Sequence, residues 1–350
     1  RPIAEIELEL KHGSAAGLFE LALGLTESLP LTLQIVSKGE RGYLLAAGAG
    51  PPAVVAERLK LRPGMSVGDA FDLVLPSAAG QAVNNLPAVV EGSEPVEGVH
   101  QMRIGLRRLR AALSIFKSCL AKGDREMLRA LLKPSLRALG PARDFDVFLT
   151  ETMPAVLADF PDDRSVAAFV AQATATRDRV REDLAALLAD PAHSRAWLTV
   201  GGWLAGRPVR SDRPVTQLAR EVLDKRARKV RRAAKAAEGG ALEALHALRI
   251  EIKNLRYAGE FFASLYDARA AKRVLKALRA AQDHLGYLND AAVSDAVLAR
   301  VEADAPSSRA RAVARGAGIV AGHLRARHAD LHDEAKAAYE ACAALKPFWR

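Results

Sequence analysis

The sequence predicts a mainly α-helical protein in two related halves, preceded by a small α+β segment. Three observations carry this. From about Ser66 onward the aliphatic residues recur at helical spacing, and only 5% of all residues are aromatic. A motif beginning at His100 returns 146 positions later, at His246. The first eleven residues alternate with period two instead.

Taken in order, Ile3 to Lys11 places Glu5, Glu7 and Glu9 on one face and Ile6, Leu8 and Leu10 on the other, the pattern of a strand. Ser14 is positioned to cap a helix running to about Glu27. Pro30 follows, then a second strand over Leu31–Ser37 and a turn at Lys38–Gly42. Segment 46–63 is rich in Ala, Gly and Pro and reads as a linker or hinge. Beyond it only helices are expected, with loops near 91–98, 121–124, 159–164, 206–214, 238–241 and 303–308. The expected division is 1–45 α+β, 46–65 linker and 66–350 helical, with halves of about 66–205 and 215–350.

The net charge of +10 is unevenly spread. Residues 1–98 carry 7 basic and 12 acidic side chains, whereas residues 99–350 carry 44 and 29. A net +15 concentrated there calls for an anionic partner: nucleic acid, a phosphate polymer or an acidic membrane surface. No run approaches the ~18 apolar residues that span a bilayer. The chain opens on Arg1 with no signal-peptide pattern, so a piece of a longer protein is expected. Cys119 and Cys342 lie far apart without metal-ligand spacing and read as reduced thiols of a cytoplasmic protein.

The repeat is the most informative feature. His100-Gln-Met-Arg103-Ile-Gly-Leu-Arg107-Arg108-Leu109-Arg110 matches His246-Ala-Leu-Arg249-Ile-Glu-Ile-Lys253-Asn254-Leu255-Arg256. At the same offset Phe116 meets Phe262, Leu139-Gly140 meets Leu285-Gly286, and Asp144 meets Asp290. On a helix turning about 100° per residue, His100, Arg103, Arg107, Arg110 and Lys117 share one face, opposite Met102, Leu106, Leu109, Leu113 and Phe116. His246, Arg249, Lys253 and Arg256 repeat the device. The guanidinium is always charged, and its planar fork suits phosphate oxygens. Two such stripes repel themselves, and an anion relieves that cost. One charged helix alone reads as a solvated face; the repetition favours a ligand.

The two histidines have three readings: a donor to phosphate oxygen, a metal ligand, or a structural hydrogen bond near the helix start. A second basic cluster, Lys225 to Lys235, can place Arg228, Arg231, Arg232 and Lys235 together and extend the same surface. Arg177 and Arg181 are weaker candidates. Asp144, Asp146 and Asp290 read as caps or partners of arginine rather than as catalytic carboxylates.

The doubled His-x-x-Arg motif, the Leu-Gly-x-x-Arg/Asn-Asp after each, and the terminal Pro347-Phe348-Trp349 resemble the CHAD family, the conserved-histidine α-helical domain, over roughly 66–350. The resemblance implies two pseudo-symmetric four-helix bundles around a basic cleft or pore that binds inorganic polyphosphate without catalysis. It implies anion contacts at His100, Arg103, Arg107, Arg110, His246, Arg249, Lys253 and Arg256, with the halves unequal because Asn254 stands opposite Arg108. The start, Glu5-Ile-Glu7-Leu-Glu9-Leu-Lys11 with Ser37-Lys38, Arg41-Gly42-Tyr43, resembles the C-terminal part of a CYTH triphosphate tunnel domain. That resemblance implies Mg or Mn at Glu5, Glu7 and Glu9, and only in an intact tunnel. Two strands cannot close a tunnel. The chain is therefore expected to bind polyphosphate without a cofactor, in the cytoplasm and at polyphosphate granules, while its full-length parent is the expected inorganic triphosphatase. Nucleic acid is the weaker expected partner, because aromatic residues that stack bases are scarce.

Overall fold

The computed structural model of the protein describes residues 4–206, 211–328, 340 and 346–350, without side chains for 242, 287–292, 327 and 328. Ile3, Cys342 and the side chains of Asn289 and Asp290 lie outside the described residues. Helices dominate, and no strand forms among the described residues. The chain divides into two compact units: residues 1–58, 66–140 and 182–212, and residues 59–65, 141–181 and 213–350.

In the first unit, α1 (Ala15–Ser28) starts where the Ser14 hydroxyl accepts from the Gly17 amide at 3.4 Å. It packs on α9 (Pro191–Gly206) so closely that a Cβ at Gly201 would lie 2.3 Å from the Phe19 ring. The strands expected at 3–11 and 31–37 are absent among the described residues; 4–11 and 31–37 are irregular. A strand needs a ladder for its backbone groups, and here other groups take them. The Leu33 amide donates to the Ser194 hydroxyl of α9 at 2.9 Å. The expected turn at Lys38–Gly42 is instead the start of α2 (Lys38–Ala46), because Ser37 accepts from the Glu40 amide at 3.3 Å and nucleates a helix over the two glycines.

A capping box fixes the start of α3 (Val67–Val83): Asp69 accepts from the Ser66 amide at 2.9 Å, and Ser66 from the Asp69 amide at 3.1 Å. Together with α4 (Leu86–Val90) and α5 (Pro95–Ile115) it forms the core of this unit. Phe71 of α3 meets Phe116, just past α5, edge-on at 5.6 Å. The crossing of α3 and α5 is tight: a Cβ at Gly105 would sit 2.5 Å from the backbone nitrogen of Ala82. Fully buried Asn85 holds the segment before α3. It donates to the Val54 carbonyl and accepts from the Val54 amide, both at 2.8 Å. The expected linker is thus pinned by side-chain mimicry of a β-bridge.

A short 3-10 turn, Lys117–Cys119, leads into α6 (Lys122–Val147), which crosses into the second unit. There a π-helical turn, Phe148–Thr152, joins it to α7 (Met153–Asp159), followed by α8 (Arg164–Leu188), whose last residues belong to the first unit. Next come α10 (Val215–Ala237), α11 (Leu242–Phe262), another 3-10 turn (Ala263–Leu265), α12 (Ala268–His284), α13 (Gly286–Ala303) and α14 (Ala310–His328). The 3-10 turn and the start of the following helix recur at the sequence offset, at 117 and 263 and at 122 and 268. Phe145, Phe148, Phe169, Val301 and Val320 fill one core of this unit. Near the C-terminus, Phe348 packs edge-on against Tyr266 at 5.6 Å, and the Trp349 indole donates to Asp224 at 2.9 Å.

Buried His193 of α9 lies 3.0 Å from the Ser135 hydroxyl and receives the Trp197 indole N–H at 3.3 Å, both through Nε2. Because an indole only donates, Nε2 is an acceptor and the ring is neutral. Burial depresses its pKa below the ordinary 6.5. In the unfolded chain the same ring takes up a proton as pH falls through 6.5, so the folded form loses stability there and keeps it above.

Two outcomes are expected. Gly105→Ala forces backbone against backbone and should cost about 1–3 kcal/mol in denaturant unfolding, whereas Gly123→Ala, which meets nothing within 4 Å, should be neutral or slightly stabilising. Between pH 7.5 and about 5.5 the melting temperature should fall, and His193→Gln should flatten that slope; an unchanged slope contradicts the assignment.

Candidate functional site

α5 buries Met102, Leu106, Leu109 and Leu113, as its periodicity requires. On the opposite side Arg110 is exposed, and His100, Arg103 and Arg107 are partly buried. Lys117 leaves this stripe, because it falls in the 3-10 turn beyond the helix end. Arg107 and Arg110 make no hydrogen bond or ion pair among the described residues; His100 and Arg103 have interactions of their own. The Arg103 guanidinium lies over Gly140 of α6, where a Cβ would stand 3.3 Å from Nη1. The repeated Leu-Gly step therefore has a physical task in this half: it leaves room for an arginine head.

α11 buries Leu245, Leu248, Ile252 and Leu255. His246 is exposed, while Arg249 and Lys253 are partly buried and have interactions of their own. Arg256 differs from its counterpart Arg110. Its Nε donates to Gln282 of α12 at 3.1 Å, Nη1 donates to Glu260, and the guanidinium stacks on Tyr257 at 4.7 Å. The motif repeats in sequence, but the freedom of its last arginine does not.

Arg108 is a packing residue. It donates to Gln81 of α3 at 2.6 Å; Gln81 donates to Gln101 at 3.0 Å, and Gln101 to Glu97 at 2.7 Å. This relay satisfies buried amides where α3 and α5 cross.

On α10, Leu218, Leu223, Ala227, Val230 and Ala234 are buried, and Arg228, Arg231, Arg232 and Lys235 are exposed. Lys229 reaches Glu251 of α11 at 3.5 Å. Two further exposed cationic faces were not singled out from the sequence: Arg129, Lys133 and Arg137 on α6, and Arg269, Lys272, Arg273 and Lys276 on α12. Their three- and four-residue spacing, free of intervening acids, was the available signal.

In the second unit Asp146 accepts from Arg181 of α8 at 2.5 Å. Burial pushes its carboxyl above the ordinary carboxylate range, against the pull of Arg181, Arg143 and Arg177. Arg143 pairs with Glu151 at 3.3 Å, and Arg177 with Asp178 at 2.7 Å.

The N-terminal glutamates form no metal centre, and no three His, Cys, Asp or Glu side chains among the described residues are placed to hold an ion. Lys38 pairs with Glu5 at 3.1 Å and Glu7 at 3.3 Å; Arg41 also pairs with Glu5, and Lys11 with Glu9 at 2.7 Å. Partial burial works to raise the Glu5 carboxyl, but hydrogen bonds from Lys38 and Arg41 hold it below its usual range. No helix among the described residues is long and apolar enough to cross a membrane.

A family model described as the CHAD domain matches residues 74–299, which include both motifs. The crystal structure of the CHAD domain from the plant Ricinus communis superposes with a TM-score of 0.73 at 29% identity, covering 83% of this chain and 97% of that one. PptA from Streptomyces chartreusis superposes with a TM-score of 0.58 at 19% identity, covering 80% and 99%, a likeness of fold. No curated protein matches.

The geometry separates two neighbouring arginines. Arg108→Ala strips Gln81 of a buried donor and should cost about 1–3 kcal/mol in unfolding free energy, while Arg110→Ala should stay within about 0.5 kcal/mol. Equal losses contradict this division.

Proposed function

We propose that this chain, which belongs to the CHAD domain family, binds inorganic polyphosphate through the cations of α5 and α11 and performs no chemistry of its own. The family is known for polyphosphate-related roles. The observation that carries the reading is Arg107 and Arg110: cations beside Arg103 that make no hydrogen bond or ion pair among the described residues. A phosphate chain offers one negative charge per unit and oxygens on every side. It suits a row of guanidiniums spaced about a turn apart. In the first unit His100 joins these contacts; in the second, His246, Arg249 and Lys253 offer a set of their own, with Arg228 and Arg232 on α10. Arg256 contributes mainly by its charge, since Glu260 and Gln282 occupy its donors.

The reading needs no metal. Glu5, Glu7 and Glu9 do not fit a metal centre in this chain, because each carboxylate is taken by a lysine or arginine. Nucleic acid is the rival ligand, but neither α5 nor α11 presents an exposed Phe, Tyr or Trp ring for base stacking.

The test is titration with long-chain polyphosphate near physiological salt, with single-stranded DNA of matched charge as competitor. Binding that DNA fails to displace is expected. Arg103→Ala with Arg249→Ala should weaken it on the order of a hundredfold, taking about 1.5 kcal/mol per charge-assisted contact. Arg311→Ala with Arg315→Ala, two exposed positions on α14, should change it little. Equal losses in the two variants, or ready displacement by DNA, would sink the proposal.

A further inference from the structure

Outside the two stripes, the parts of α6 and α8 that belong to the second unit bring three guanidiniums to one carboxylate. The Asp146 side chain is 0% exposed and is held by Arg181 at 2.5 Å. Arg143 and Arg177 lie within its electrostatic reach. All three arginines open partly to solvent, with side-chain exposures of 20%, 25% and 22% for Arg143, Arg177 and Arg181. The acids facing Arg143 and Arg177 are far more exposed, Glu151 at 62% and Asp178 at 52%. Pairs of that kind are weak and exchange readily for a stronger anion.

Two polar atoms at the centre are left over. Asp146 Oδ2 and Arg181 Nε are both buried, and neither has a hydrogen-bond partner among the described residues. Asp146 therefore grips Arg181 through one oxygen only and leaves a donor of the guanidinium unused. A pair with a purely structural task would be expected to close both bonds, since the fork of arginine matches a carboxylate bidentately.

We infer that Arg143, Arg177 and Arg181 form a phosphate-binding site in the second unit, in which buried Asp146 is a positioning residue that aims Arg181. The ligand class is a phosphate group of a chain, whose oxygens replace Glu151 and Asp178 on their arginines and reach Arg181 where its side chain opens to solvent. The choice of a phosphate chain rests on the function proposed above; the site itself rests on this geometry.

Positioning and plain electrostatics predict opposite signs for one substitution. Removing an acid from a basic surface strengthens polyanion binding when charge alone matters. If Asp146 aims Arg181, Asp146→Ala instead weakens long-chain polyphosphate binding, by about the tenfold of one charge-assisted contact. Asp146→Asn keeps an acceptor for Arg181 and should recover most of the loss. Arg181→Lys keeps the charge and the pair but loses the fork, and should weaken binding as Asp146→Ala does; it decides the matter if Asp146→Ala fails to fold. Melting temperatures are recorded for each variant. Tighter or unchanged binding by Asp146→Ala, or wild-type affinity in Arg181→Lys, overturns the site even while the wild-type chain binds polyphosphate. A wild-type chain that binds no polyphosphate overturns the proposed function, and orthophosphate titration of the same variants then tests the cluster by itself: no binding overturns it too.

Discussion

An arginine can sit beside a hydrophobic core only if its stem lies along apolar surface and its head reaches water or an anion. That constraint shapes α5 and α11. Met102, Leu106 and Leu109 seal one side of α5, so the stems of Arg103 and Arg107 are partly buried at its margin. The neighbours make room accordingly. Gly105 lets the backbone of α3 approach on the buried side, and Gly140 leaves space for the Arg103 head. Arg107, partly buried and without a hydrogen bond or ion pair among the described residues, has lost part of its hydration, which makes the face attractive to an anion.

Several polar groups that the fold buries find their partners on neighbouring segments and helices. Asn85 stands in for a strand partner of Val54, and Gln81 links two helices through Gln101 and Arg108. Such relays fix which residues of a helix face inward. They also explain why neighbouring arginines on one helix have unlike fates: Arg108 is committed to the α3 crossing, while Arg107 and Arg110 make no hydrogen bond or ion pair among the described residues.

Much of this was legible in the sequence because the controlling interactions are local. Ser14 caps the helix its position announces. The burial of Met102, Leu106, Leu109 and Leu113 follows from spacing alone. What escaped depends on distant partners. Glu5 to Leu10 alternates like a strand but has no ladder, and two residues of α2 take Glu5 instead. Two glycines after Ser37 suggested a turn, and the serine's own cap overrode them. Arg256 looks identical to Arg110 in the repeat; Gln282, on the next helix, makes the difference. Arg181 and Asp146 are 35 residues apart, so no spacing rule joins them.

The Leu-Gly step of the repeat has two outcomes in one chain. At Leu139-Gly140 the helix runs straight through, and α6 continues to Val147. At Leu285-Gly286 it is interrupted, and α12 and α13 are separate helices. Glycine at that step permits either course, having neither a side chain to clash nor a strong helical preference. If the halves descend from one duplicated ancestor, that residue allowed one copy to break its helix without a compensating mutation. The copies then differ in backbone course at this step as well as in the partners of their last arginines.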